Sequence, residues 1–328
     1  MKSLWCLVAM LWFCEAGMAQ EQGQKPSDNP GSFLLTTGVD DGTPAGGGGT
    51  VFDDAGQGRE PGGFLTGNPN FSNFIPFMSD PLQSVDPRSL TYFYPIFGSS
   101  WFSTLPRLPS GDVQLYGAGL TVALSERISF GLNQGGYAVA DVGHSNRDGW
   151  LNLGGFGQYT IIQDVEDQFL LTGGLRWEAP TGEAEVFQGH GPAHLAPYIT
   201  AGKEFGEFHV LGTFGYEFPT GSGVASTNQF YFNTHFDRRF FGWLYPLIEF
   251  DWTYHTTSVS GAELSERTGG FFDFGDFSAS GNILVMSVGF DAVLVQSKLE
   301  AGIVYNTSLA TQHDFNVNGL LIKAVWRY

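Results

Sequence analysis

Several stretches of this 328-residue chain carry ionisable side chains separated by even numbers of positions. Arg176 and Glu178 close one such stretch, and His209 and Glu217 belong to the next. His235, Asp237 and Arg239 fall in a third, Glu249, Asp251 and His255 in a fourth, and Lys323 and Arg327 in the last. Asp291, Lys298 and Glu300 follow the same spacing. Carboxylates next to imidazoles and cations can pair, relay protons or pass a charged solute. A period of two places them on one face of a strand, so they point the same way.

Other chemistries find less support. His190 and His194 are four apart, a spacing that stacks metal ligands on a helix, but Gly191 and Pro192 between them forbid a helix. His255 lies near Ser258 and Ser260, yet triads assemble in space rather than along the chain. No nucleophile-elbow motif and no phosphate-binding loop occurs. The sequence therefore implies no catalytic residues, no metal and no cofactor. A formal charge of −18 argues against nucleic acid as a partner.

The positions between these ionisable residues are apolar. Phe169, Leu171, Leu175 and Trp177 alternate with Gln168, Thr172, Arg176 and Glu178. Leu244, Ile248, Phe250, Trp252 and Tyr254 alternate with Glu249, Asp251, Thr253 and His255. Similar patterns run over 113–124, 128–137, 150–162, 195–205, 207–218, 229–240, 283–294, 298–309 and 318–328. Each is ten residues or more, whereas globular strands average ~5–6 and bilayer-crossing strands need ~9–11. Short links at 125–126, 163–167, 206, 242 and 296–297 alternate with longer ones at 141–149, 181–193, 220–227, 256–280 and 310–317. Transmembrane barrels alternate in this way, with short periplasmic turns and long outer loops. A strand over 90–102, despite Pro95, makes the count even. The expected fold is an all-β, transmembrane antiparallel up-and-down barrel of about twelve strands over 88–328, preceded by a disordered arm. Outer-membrane lipid is then its first partner. If Gly242 centres a tight turn, His235 stands opposite Glu249, and Asn233 opposite Asp251.

Residues 1–19 read as a secretory signal peptide with small residues before a cleavage point near Ala19. Both cysteines, Cys6 and Cys14, fall inside it, so the mature chain has neither disulfides nor thiolates. Residues 20–87 form a Gly/Pro-rich arm. Up to about Gly63 it holds too little apolar surface to order itself. From Phe64 to Pro87, Phe71, Phe74, Ile75, Phe77 and Met78 are interrupted by Pro69, Pro76 and Pro81, which suits a partial plug or a lid.

Two stretches, Leu175 to Gly182 and Tyr216 to Gly221, share a Pro-Thr-Gly ending, with Gly189-His190-Gly191-Pro192 between them. These resemble the outer-membrane family named after the meta-pathway of phenol degradation, and Asp86 to Leu90 and Tyr245 to Glu249 resemble uncharacterised exported barrel proteins related to it. The resemblance covers roughly 86–328 and implies a barrel of transporter type in the outer membrane of a diderm bacterium. It carries over no substrate residues. The strand ending at Tyr328 also resembles those whose final aromatic is read by the barrel-insertion machinery.

The function expected from this face is a polar, mildly acidic lumen that passes an unnamed small molecule, cations or polar aromatics among them. Three alternatives stand beside it. The lumen could be closed by its own salt bridges, or the wall could hold a lipid hydrolase. The barrel could also be adhesive, with the Phe-rich loop at 269–277 as its contact. An open lumen further predicts that arginine is costly at outward Phe250 or Leu171 and better tolerated at inward Thr253 or Thr172.

Overall fold

The computed structural model describes residues 62–102, 110–143, 145–186, 188–189, 191–221, 228–256, 281–310 and 317–328. The expected signal peptide, most of the arm, His190, Ser258, Ser260 and the Phe-rich loop lie outside the described residues.

Period-two alternation becomes fourteen strand segments: β1 (Tyr92–Phe102), β2 (Gly111–Ala123), β3 (Ile128–Gln134), β4 (Gly136–Val142), β5 (Ser145–Trp150), β6 (Leu153–Asp164), β7 (Phe169–Ala179), β8 (His194–Phe205), β9 (Phe208–Pro219), β10 (Gln229–Arg238), β11 (Leu244–His255), β12 (Gly281–Val295), β13 (Leu299–Ala310) and β14 (Val317–Arg327). Neighbours pair antiparallel, and β1 pairs with both β2 and β14, which closes the sheet. β3 and β4 both pair with β2 and are one stave interrupted at Gly135. β5 and β6 pair with β4 and β3 respectively and are one stave interrupted at 151–152. The barrel therefore has twelve staves. A closed antiparallel barrel satisfies every backbone group without exposing an edge, as a hydrocarbon environment demands. No helix among the described residues is long and apolar enough to cross a membrane.

Short turns at 124–127, 165–168, 206–207, 241–243 and 296–298 gather at one end. The β10–β11 turn uses left-handed backbone at Phe241 and Gly242 (φ 53° and 75°). It sets the register expected from the sequence, His235 opposite Glu249 and Asn233 opposite Asp251. Two expectations need correcting. Residues 141–149 are not a long loop: β4 and β5 continue the ladder through them, with Asp141 opposite Asn146 and Tyr137 opposite Trp150. Their polar side chains hid the strand pattern, because the hairpin extends the staves with exposed Asn146, Arg147 and Asp148. The stave expected over 150–162 breaks at Leu151 and Asn152 for the same hairpin.

Outward positions carry exposed large apolar side chains, among them Phe93, Tyr116, Phe130, Tyr159, Ile199, Phe214, Phe232, Phe290, Ile322 and Trp326. Inward positions are buried, and not only by one another. Residues 67–89 lie inside the barrel. Ile75 and Met78 pack against Tyr92, Tyr94, Tyr245, Leu247, Val304, Leu321 and Val325 of the wall. Phe71, Phe74 and Phe77 pack against Leu170 and Leu211, and Val85 against Phe156, Ala196, Tyr198 and Tyr231. The inner face of β14 is thus half apolar, with Leu321 and Val325 alternating with Lys323 and Arg327.

Both ends of this inner segment sit at the short-turn rim. On the way in, the Leu65 amide donates to the Ala123 carbonyl (2.9 Å), and Gly62 to Glu126 (3.0 Å). On the way out, the Ser89 hydroxyl donates to the carbonyls of Ser125 and Ile128. Gly67 makes the first bend with φ +68°, where a Cβ would strike the Ser89 carbonyl. The segment is therefore a loop that enters and leaves by the same opening and continues directly into β1.

Candidate functional site: the lumen and the segment within it

Apart from a single 3-10 turn at Pro69–Phe71, the prolines at 69, 76, 81 and 87 keep the inner segment from forming an α-helix or a strand, so its buried backbone must find partners elsewhere. The inward side chains of the wall supply them. Asn133 and Arg176 each donate to the Leu82 carbonyl at 2.7 Å. Thr200 donates to Val85 (3.1 Å), Gln158 to Asp86 (2.9 Å) and Thr172 to Pro87 (2.6 Å). Lys323 reaches from β14 to the Phe77 carbonyl. In the other direction, the Met78 and Ser79 amides donate to the two oxygens of Glu249 (2.8 and 2.6 Å), and the Ser79 hydroxyl to Asp251 (2.7 Å). Asn233 donates to Asp80 (3.0 Å) and Ser84 (2.8 Å).

The segment is also braced internally. Arg88, fully buried, grips Asp86 through Nε and Nη2 (2.9 and 2.6 Å) and donates from Nη1 to the carbonyls of Phe74 (2.6 Å) and Phe71 (3.2 Å). This ties the outgoing strand of the loop to the incoming one. Burial opposes ionisation of Asp86, but the charge and hydrogen bonds of Arg88 outweigh it and hold the carboxyl below its ordinary value. Asp80 goes the other way. Burial raises it, against hydrogen bonds from the Gln83 and Leu82 amides and Asn233 and the charge of Arg176.

Behind Glu249 runs a chain of buried acids and imidazoles across three strands. Glu249 meets His235 Nδ1 at 2.5 Å, His235 Nε2 meets Asp237 at 2.8 Å, and Asp237 meets His209 Nδ1 at 2.6 Å. The His209 ring packs on Phe74, and His235 on Phe77. The charged wall is thus built against the segment rather than against water.

Thirteen of the fifteen ionisable residues singled out from the sequence are buried on the inward face: Arg176, Glu178, His209, Glu217, His235, Asp237, Glu249, Asp251, His255, Asp291, Glu300, Lys323 and Arg327. Lys298 is corrected: it lies exposed in the 296–298 turn, one residue before β13 begins. Arg239 is the other exception. β10 ends before it, and it pairs with Glu207 at the short-turn rim (2.8 and 3.1 Å). Glu178 accepts from Asn152 (2.8 Å), which with Gln188 fastens the 180–189 loop. Arg176 pairs with Glu217, and Arg327 with Glu300 (2.5 Å). Sequence reasoning missed the partners on the segment, Ser79, Asp80, Asp86 and Arg88. Their signal was present: apolar Leu170, Leu211, Val304, Leu321 and Val325 at inward positions call for something apolar in the lumen. Among the described residues no group of three or more His, Cys, Asp or Glu could hold a metal ion. Thr172 and Thr253 are inward but buried, so arginine there would meet packed protein rather than open water.

No protein-family model matches the chain, and no curated protein matches it. Among solved structures, the fold is similar to an outer-membrane channel from Pseudomonas putida F1, with a TM-score of 0.53 and 10% identity over 78% of this chain and 98% of that one. The NanC porin aligns with a TM-score of 0.47 and 8% identity over 71% of this chain and 100% of that one. The transport unit of the autotransporter AIDA-I from Escherichia coli aligns at 0.46 and 14% identity, over 73% and 90%. At such identities the likeness is one of fold: this chain forms a closed antiparallel barrel of the outer-membrane type.

Proposed function

We propose that this protein is an outer-membrane channel or transporter for small molecules, with residues 67–89 as a plug that must move before solute passes. The observation that carries the reading is the plug's path. It enters and leaves by one opening, so it can withdraw as a loop without unthreading, and the ladders that close the barrel do not depend on it. The exposed apolar belt meets lipid, and the short-turn end faces the periplasm. Export would follow cleavage near Ala19, and insertion would use the strand ending at Tyr328. The acids of the lumen outnumber its bases, which favours cations over anions. The Pro-Thr-Gly segments keep the phenol-degradation family as the nearest proposed kinship. No catalytic role is proposed.

A second reading is a structural barrel whose plug never leaves, favoured by the three apolar clusters between plug and wall. Planar-bilayer recording separates the two. The variant Ser79→Cys/Asp251→Cys, bridged by a short bifunctional thiol reagent with a reducible link, should be silent. Reduction should restore current steps like those of the unmodified chain. A parent chain that never conducts at any voltage supports the structural barrel instead.

A further inference from the structure

Towards the long-loop end, past Tyr231 where Val85 of the plug still packs, the wall continues to present the polar side chains of Gln229 and His255. Gln229 on β10 lies directly opposite His255 on one side and Glu217 on the other. Opposed residues on one face of a sheet are close enough to share a ligand. His255 is 2% exposed, yet among the described residues neither ring nitrogen has a hydrogen-bond partner. The Gln229 Oε1 and the Tyr231 hydroxyl, four and two positions from Asn233, are also buried and without a hydrogen-bond partner among the described residues. One step deeper, Asn233 and Asp251 each give one atom to the plug and keep an oxygen without a donor. Buried polar atoms without partners cost free energy, and native proteins keep few of them without a reason.

The chemistry of these atoms selects a ligand. Gln229 Oε1 and Asn233 Oδ1 can only accept, so the ligand must donate. The carboxyl groups of Glu217 and Asp80 lie near Tyr231, with one guanidinium, Arg176, which is engaged with Glu217 and the plug, and with the His194 ring 3.4 Å from Glu217. An anion would face net repulsion. A compact cation with several N–H groups satisfies both the acceptors and the charge.

We propose that the rung Glu217–Gln229–His255, with Tyr231 beneath it, binds small organic ammonium ions. This rests on the channel reading, since it makes the lumen the solute's path and names the solute's class. The test is calorimetric titration of the whole chain in detergent with 1,4-diaminobutane, compared with 1,4-butanediol and glutarate at matched ionic strength. Saturable binding of the diamine alone is expected. His255→Ala, Gln229→Ala and Tyr231→Phe should each weaken it at least threefold while the thermal midpoint stays put. Tyr231→Phe deletes only the unpartnered hydroxyl and so guards against misfolding. No saturable diamine binding, equal binding of the diol or glutarate, or parent affinity in all three variants overturns the proposal. Equilibrium binding does not require conduction, so a silent bilayer with intact binding removes only the channel reading. Conduction without binding removes only this one.

Discussion

The inward face of β11 changes character along its length. At its middle, Glu249 accepts two plug amides and Asp251 accepts the Ser79 hydroxyl. At its long-loop end, His255 is just as buried and has no hydrogen-bond partner among the described residues. The same strand thus serves two purposes. Its middle solvates a proline-broken backbone that could not solvate itself. Its end holds polarity in reserve. The division is not absolute, since Asp291 on β12 accepts no side-chain hydrogen bond among the described residues, although it lies among Glu300, Lys323 and Arg327.

The comparison breaks most sharply at the plug's brace. Arg88→Ala should destabilise plug seating by about 3–5 kcal/mol, because it strands the Asp86 carboxylate in a buried site. Thiol labelling of a Ser79→Cys reporter would show it as fast modification, where the braced parent stays protected. Next comes the wall itself. Phe250→Arg should cost about 2–4 kcal/mol on the lipid side. Thr172→Arg should cost about 1–3 kcal/mol, because it overpacks the site under the Pro87 carbonyl. Urea titration in detergent would read both, and an unaffected Thr172→Arg would mean that the lumen is open. Glu249→Gln keeps an acceptor but loses the charge, so seating should weaken by about 1–3 kcal/mol and current steps should become more frequent. His255→Ala should change the unfolding midpoint by no more than about 0.5 kcal/mol, the small effect expected where no partner is lost. A large loss there would erase the distinction between the two ends of β11.

Acidity sharpens the same contrast within the plug. Asp86 has a lowered value in the seated state, so its contribution is fully present above the ordinary carboxylate range. That contribution disappears as pH falls through the lowered value. Asp80 has a raised value, so its contribution is present in acid and fades as pH rises through that value. Labelling of the Ser79→Cys reporter against pH should lose its acid limb in Asp86→Asn and its higher-pH limb in Asp80→Asn. Identical profiles in all three proteins would remove both carboxylates from the account.

Much of this was legible in the residues themselves. A side-chain period of two, long repeats and alternating link lengths determined the number of staves and the face each side chain takes. Gly242 and its short turn determined the pairing of His235 with Glu249. The β4–β5 hairpin escaped because Asn146, Arg147 and Asp148 are polar where a lipid-facing strand is apolar. Arg239 escaped because alternation does not mark where a strand stops. What only the tertiary structure decided is the content of the lumen. Met78 and Glu249 are 171 positions apart, and no local rule brings them together. Proline can forbid a helix or strand in residues 67–89, but it cannot say which carbonyl will meet Arg176 or Lys323. That is settled only when the barrel closes and leaves those buried backbone groups a single set of partners.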